Sequence, residues 1–181
     1  REYFRRFGAV ATDHGVPTAN TADLPLNEKQ ALLDKVLAGK HDANDAELFR
    51  AQMLTEMALL SVEDGMVMQI HAGSRRNTDP LLFDERGADL GADIPGPTDY
   101  VGGMKALLSR CGNEPNLQII MFVLDETTYA RELAPMAGYW PSLMIGPPWW
   151  FHDSPQGIRR YLDQVVETAG FYNLAGFNDD T

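Results

Sequence analysis

The segment that most constrains the fold is Leu117–Leu124, in which every residue except Gln118 is apolar. It is far shorter than the ~18–20 apolar residues of a membrane span, and it is typical of a β-strand buried on both faces. Other short apolar segments recur along the chain, with amphipathic helical patterns between them. This alternation predicts an α/β fold with a parallel sheet.

The apolar patterns place five strands and five helices along the chain. The predicted strands are Gly8–Thr12, Met66–Ile70, Leu117–Leu124, Ser142–Gly146 and Leu174–Phe177. The predicted helices cover residues 27–38, 44–64, 100–111, 127–137 and 154–169; an Asn27…Gln30 capping box starts the first and Ser154 caps the last. Residues 72–99 are rich in Gly, Pro and Asp and predict a long loop, a feature that is usually either functional or disordered in a compact domain.

Five βα units are too few for an eight-stranded barrel, which takes ~250 residues. A doubly wound sheet fits the length, but no Gly-rich phosphate loop follows any strand. We therefore expect residues 1–181 to form part of a (β/α)₈ TIM-type barrel, about its last five βα units. The chain begins at Arg1 as if inside a helix and stops just after a strand, so we expect a piece of a longer polypeptide. Unpaired sheet edges also favour pairing with another copy, and hence a homo-oligomer.

Composition excludes several classes of partner. The formal net charge is −11 and no basic face is visible, which argues against nucleic-acid binding. No segment resembles a membrane span or a signal peptide, so we expect a soluble, cytoplasmic protein without a membrane partner. Cys111 is the single cysteine, which rules out an intramolecular disulfide.

Polar residues that follow the predicted strands are the candidates for chemistry, because active sites of α/β barrels lie at the carboxyl ends of strands. His71 follows Met66–Ile70, and it could bind a metal or substrate or could simply brace the loop. Arg75 and Arg76 come next; a guanidinium can hold a carboxylate with two hydrogen bonds, but the pair could equally be solvated. His14, after the first strand, repeats the pattern more weakly.

Two later segments continue this pattern. Trp149 and Trp150, before His152 and Asp153, could pack in the core or could form the wall of a sugar pocket. Asp179 and Asp180 follow the last strand, where a carboxylate could ligate a hard metal, act as a general base or cap a helix. No H-x-H or H-E-x-x-H pair is present to make a zinc site from these residues alone.

These segments together resemble the uronate isomerase (glucuronate isomerase) family of the amidohydrolase superfamily. Gln69–Asn77 matches the family's Q-[IL]-H-x-G-x-x-R-N segment, and Gly146–Asp153 matches G-x-x-W-W-F-x-D. The Thr12–Gly15 segment looks like the family's strand-end Asp-His, and Phe83–Gly87 looks like its substrate-side loop. Asp180 aligns with the family's last-strand Asp. The resemblance covers essentially the whole chain.

The resemblance implies a (β/α)₈ barrel, represented here by strands four to eight, that interconverts aldose and ketose hexuronates. It implies a divalent metal, usually zinc, held by a first-strand H-x-H pair that this chain lacks and by Asp180. It assigns Asp180 as metal ligand or proton carrier, His71 as a catalytic partner of metal or substrate, and Arg76 as the clamp of the substrate carboxylate. The other implied substrate-binding residues are Trp149, Trp150, His14 and Arg86.

Two alternatives stay open from the sequence. A metal-dependent hydrolase of the same superfamily would use the same scaffold, and a non-catalytic binding or assembly domain would need neither metal nor uronate.

Overall fold

The computed structural model describes residues 1–176, and the structural statements below refer to that part of the chain. The helices are α1 Glu2–Arg5, α2 Leu26–Leu37, α3 Ala43–Asp64, α4 Pro80–Arg86, α5 Tyr100–Gly103, α6 Lys105–Cys111, α7 Ala134–Tyr139 and α8 Pro155–Ala169. The strands are β1 Ala11–Val16, β2 Val67–Ala72, β3 Ser74–Arg75, β4 Ile94–Pro95, β5 Ile119–Val123 and β6 Leu143–Ile145. Short 3₁₀ turns span Glu126–Thr128, Trp150–His152 and Phe171–Asn173, and a π turn spans Tyr129–Leu133.

Four strands form one parallel sheet in the order β1-β2-β5-β6, which confirms the predicted α/β fold with a parallel sheet. Ile145 at the end of β6 also pairs in parallel with Leu174 through a single bridge. Of the predicted last strand, Leu174 makes this bridge and the Ala175 N–H donates to the Ile145 carbonyl, whereas Ala175 and Gly176 are not in a strand and Phe177 lies outside the described residues. β3 and β4 form a separate antiparallel pair.

The two faces of the sheet differ in burial, since successive residues of a strand point to opposite sides. In β2, Met68, Ile70 and Ala72 are almost completely buried, whereas Gln69 and His71 on the other face are half-buried. Helices supply the rest of the core on the first face, through Leu54, Ala58, Leu107, Leu108, Tyr161 and Val165. The helices thus cover one face, and the face that carries His71 stays partly open.

Capping residues set the ends of the two longest helices. The Asp42 carboxylate accepts a hydrogen bond from the Asp45 backbone N–H, and the Asp45 carboxylate accepts one from the Asp42 N–H. Gly65 ends α3 in the left-handed region, with φ of +70°, which a residue with a Cβ adopts at a cost. Ser154 caps α8 as predicted, because its hydroxyl accepts from the Gly157 N–H.

The predicted start of α2 is wrong. Asn27 and Gln30 make no capping box, because the helix begins at Leu26, directly after Pro25. The fixed φ of proline is compatible with a helix start, so α2 begins without a side-chain cap. The first strand also differs from its prediction, since β1 starts at Ala11 and not at Gly8. The predicted helix 100–111 divides at Met104 into α5 and α6.

The segment 72–99 contains more local structure than a loop predicted from composition. Helix α4 lies within it, capped by the Asp79 carboxylate, and the β3–β4 pair closes its base. Gly73, in the left-handed region at φ +85°, lets the chain leave β2; a Cβ there would lie 2.1 Å from Thr98 Oγ1. No helix in residues 1–176 is long and apolar enough to cross a membrane.

Candidate active site

The site begins with His71 and Asp13, on neighbouring strands. Nδ1 of His71 lies 2.5 Å from Oδ1 of Asp13. Because a carboxylate can only accept, Nδ1 carries the proton and donates it, and in the neutral imidazole Nε2 then has the free lone pair. The His71 side chain is 15% exposed and that of Asp13 is 65% exposed. The pair therefore fixes the imidazole in one tautomer, with Nε2 available to a ligand.

Aromatic rings hold the His71 imidazole in place from two sides. The Phe122 ring stacks on it with centroids 4.2 Å apart, and the Trp149 ring meets it edge-on at 4.6 Å. Phe122 is opposite His71 in the β2–β5 register, so the stack is a cross-strand pair. Trp149 in turn contacts Trp150, at 4.4 Å between centroids. The two tryptophans therefore lie beside His71, and their role as a pocket wall stays a prediction.

Arg76 lies against the second tryptophan. Its guanidinium carbon is 5.2 Å from the centroid of the Trp150 ring, within the range of a cation–π interaction. Nη1 also lies 3.2 Å from Oδ2 of Asp93 and 3.8 Å from Oδ1 of Asp89. The side chain is 45% exposed. Arg76 is thus oriented by neighbours and still accessible to an anion.

Two cavities meet at Arg76. One, of about 960 Å³, is lined by Gly15, Val16, Pro17, His71, Ser74, Arg75, Arg76 and Asp89. The other, of about 430 Å³, is lined by Arg76, Asp89, Gly91, Asp93, Trp150 and Phe151. Arg76 and Asp89 line both. The larger cavity brings His71 and Arg76 together, in a volume typical of small-molecule sites.

The structure does not bring His14 or Arg86 into this group. His14 lies inside β1 and not after it, so alternation turns its side chain to the face opposite Asp13. There its Nε2 lies 3.1 Å from Thr12 Oγ1, and burial lowers the pKa of its imidazole. Arg86 is exposed at the end of α4 and does not line either cavity. The first strand was predicted to end too early, which put His14 at the wrong place.

The sequence left the role of His152 undecided, and the structure shows that His152 makes a structural contact. Its Nε2–H donates a hydrogen bond to the carbonyl oxygen of Leu124, at 2.9 Å, and Leu124 is the residue directly after β5. Its Nδ1 is buried and lies 3.6 Å from Oε2 of Glu126. His152 thereby ties the turn that carries the tryptophans to the neighbouring strand end.

Among the described residues, His71 is the candidate metal ligand at this site. Nε2 of His71 has the free lone pair and the carboxylate-bound Nδ1–H that are typical of a metal-binding histidine. Within residues 1–176, no three His, Cys, Asp or Glu side chains lie together as a metal site requires. Asp179 and Asp180 lie outside the described residues.

Fold and site together define an α/β protein with a parallel sheet and a polar cavity at the carboxyl ends of its strands. Comparison with known proteins narrows the class: a sequence model of the glucuronate isomerase family matches residues 1–181. The chain belongs to that family.

Individual relatives agree with this assignment. The uronate isomerase of Brucella canis is 58% identical over 181 residues, which are 100% of this chain and 39% of that protein. The glucuronate isomerase structure from Caulobacter crescentus superposes with a TM-score of 0.98 at 58% identity, covering 100% of this chain and 38% of that one. For the Thermotoga maritima uronate isomerase the TM-score is 0.90 at 29% identity, covering 99% and 40%. The chain thus spans about two fifths of the length of the relatives it matches.

Proposed function

We propose that a family-length polypeptide carrying this sequence interconverts aldose and ketose hexuronates: glucuronate with fructuronate, and galacturonate with tagaturonate. The observation that carries the proposal is that His71 and Arg76 line one cavity. Such a cavity offers an oriented imidazole for the reacting end of the sugar and a cation for its carboxylate. The family match favours this activity over the hydrolase and assembly-domain alternatives.

The proposed architecture is a (β/α)₈ barrel to which this chain contributes about five βα units, as one partial barrel domain over residues 1–181. The order of the sheet follows chain order without the reversal that marks a doubly wound sheet. Helices α3, α6 and α8 pack on the face of the sheet opposite His71, as on the outside of a barrel. We also propose a homo-oligomer, and light scattering of the family-length protein would measure its subunit number.

Arg76 is the proposed carboxylate clamp. The substrate is an acid, and a guanidinium can bind a carboxylate with two charge-assisted hydrogen bonds. The Trp150 ring beneath it keeps the guanidinium plane in place and excludes water from one side. Trp149 lies between Trp150 and His71. It would contact the bound sugar between its carboxylate end and its reacting end.

His71 is proposed to act at the reacting end. Isomerisation moves a proton between adjacent carbons through an enediol, and it requires a base and a group that stabilises the enediolate oxygen. His71 lines the cavity, and because Asp13 holds Nδ1–H, Nε2 is the ring nitrogen that stays available to a ligand. It would orient the carbonyl end of the sugar directly or as a metal ligand.

The divalent metal, with zinc as the expected ion, remains part of the proposal. His71 Nε2 would provide one ligand and Asp180 another, with Asp180 as the alternative proton carrier. The metal, when bound, supplies Lewis-acid polarisation of the substrate oxygen. His14 and Arg86 stay predictions that rest on the resemblance alone, since neither lines the two cavities.

The test is uronate turnover in a family-length polypeptide that carries this sequence. Arg76→Met should raise KM for D-glucuronate by about 10-fold or more, because a charged hydrogen-bonded pair is worth ~1.5–3 kcal/mol. Arg110→Met is the matched control, since Arg110 is 55% exposed and pairs with Asp23, away from the cavities. Absence of uronate turnover would reject the proposed activity. An unchanged KM for Arg76→Met would reject the clamp.

A further inference from the structure

Arg76 has two carboxylate neighbours that differ sharply in burial. Asp93 is 9% exposed and lies 3.2 Å from Nη1, within ordinary hydrogen-bonding distance. Asp89 is 78% exposed and lies 3.8 Å from the same nitrogen, too far for a hydrogen bond. One guanidinium therefore faces two carboxylates, and of these only Asp93 is both largely buried and hydrogen-bonded to it.

Asp93 is a fixed partner. Its second oxygen, Oδ1, accepts from the Asn77 backbone N–H at 2.9 Å, so the carboxylate bridges the guanidinium and the main chain. The neighbouring backbone is also paired, because Thr78 N–H donates to the Ala92 carbonyl at 2.7 Å. Asp93 cannot leave Arg76 without breaking this connection between the two sides of the loop.

Asp89 is held by its backbone and not by its side chain. Its N–H donates to the Asn77 side-chain oxygen at 3.1 Å, and its own φ is +61°, a left-handed conformation that costs energy without glycine. Asp89 lines both cavities, beside Arg76. An exposed ion pair of this kind contributes little and is readily exchanged.

Backbone strain concentrates around Arg76. Among the described residues, the non-glycine positions with positive φ are Asn77, Asp89 and Trp150, at +53°, +61° and +46°. Asn77 follows Arg76, Asp89 faces it and Trp150 lies beneath it. Such conformations persist only where the surroundings impose them, and they cluster at ligand-binding sites.

We propose that Asp93 is the positioning residue of Arg76, and that Asp89 is an exchangeable carboxylate that a hexuronate must displace from it. This rests on the proposed clamp role of Arg76. The arriving substrate carboxylate brings a third negative charge to one guanidinium, so Asp89 has to withdraw for the substrate to bind. A neutral hexose brings no carboxylate to Arg76, so Asp89 competes only with acid sugars and lowers their affinity.

The two carboxylates predict opposite effects when each is neutralised in the family-length protein. Asp89→Asn removes the competitor and should lower KM for D-glucuronate by about two- to five-fold at low salt, with kcat unchanged. Asp93→Asn releases the guanidinium and should raise KM by about 10-fold. Asp84→Asn is the matched control, because Asp84 is an exposed carboxylate on α4 of the same segment.

Direct binding separates the proposal from a general charge effect. Tryptophan emission, with Trp150 under Arg76, reports titration with D-glucuronate and with neutral D-glucose. Asp89→Asn should tighten the binding of D-glucuronate and leave the binding of D-glucose unchanged. A KM for Asp89→Asn that is unchanged or raised, or an equal decrease for Asp84→Asn, would overturn the role of Asp89. If the role of Asp89 is overturned but Arg76→Met still weakens glucuronate binding, the clamp role of Arg76 stands. If Arg76→Met binds glucuronate as tightly as the unmodified protein, both proposals are overturned.

Discussion

Asp13 and His71 are 58 positions apart in the chain, yet Oδ1 and Nδ1 lie 2.5 Å from each other. The β1–β2 register accounts for this: Asp13 is opposite Gln69 and Gly15 is opposite His71. Asp13, Gln69 and His71 therefore share one face, and the two side chains meet diagonally across the strands. The orientation of the imidazole thus depends on the pairing of two strands and not on a local motif.

Neutralising Asp13 should damage catalysis without damaging the fold. In a family-length protein, Asp13→Asn should lower kcat by about 10–100-fold, the usual effect of losing the carboxylate behind a functional histidine. The thermal unfolding midpoint should change little, because Asp13 is 65% exposed. Asp34→Asn, an exposed carboxylate on α2, is the control for net charge. A normal kcat in Asp13→Asn would show that His71 does not depend on this hydrogen bond.

His152 should stabilise the segment that carries the tryptophans. His152→Leu leaves the buried Leu124 carbonyl without its donor and should lower the free energy of unfolding by about 1–3 kcal/mol. His152→Gln keeps an N–H at similar reach and should restore part of that loss. Urea unfolding followed by tryptophan emission would measure both. Equal losses in the two variants would show that packing, and not the hydrogen bond, is the contribution of His152.

Features of the fold that depend on local pattern were predictable from sequence. The apolar Leu117–Leu124 segment contains β5, and the Ser154 cap and the 44–64 periodicity correspond closely to α8 and α3. The start of β1 was missed because Ala9 and Val10 look as strand-like as the residues after them. Only the pairing with β2 decides where that strand begins and ends.

The site was predictable only in part, for the same reason. The sequence placed His71 and Arg76 next to each other through one continuous motif, and the structure places both at one cavity. It did not identify Asp13 as the partner of His71 or Asp93 as the partner of Arg76, because both contacts depend on pairing between distant segments. The sequence around a carboxylate near a strand end does not indicate which base or cation the carboxylate will contact.

We predict that the Glu47 carboxylate contributes to stability and that this contribution is lost in acid. The carboxylate accepts hydrogen bonds from Thr18 Oγ1 at 2.5 Å and Asn20 Nδ2 at 2.7 Å, and these bonds, led by that from Thr18, lower its pKa below the ordinary 4.5. A lowered folded-state pKa stabilises the protein above the unfolded value, and the stabilisation is lost as pH falls through the folded value.

The measurement is the unfolding free energy of Glu47→Gln against pH. At neutral pH the variant should be less stable by about 1 kcal/mol, the net value of a hydrogen bond. The gap should narrow as pH falls below 4.5. A constant difference across the acid range would show that the charge of Glu47 contributes nothing to stability.

Asp180 carries the prediction that depends on sequence alone, since it lies outside the described residues. It stands after the apolar Leu174–Phe177 segment, and in the proposed barrel a carboxylate at a strand end would face the proposed active site. In a family-length protein, Asp180→Asn should abolish isomerisation while the protein still folds, because the amide keeps the shape but loses the charge and the basicity. Asp179→Asn is the matched control and should be milder, since adjacent side chains of an extended chain point to opposite sides. Glucuronate turnover and metal content of both variants test this. Inactivity of Asp179→Asn alone would shift the assignment by one residue, and full activity of both would remove it.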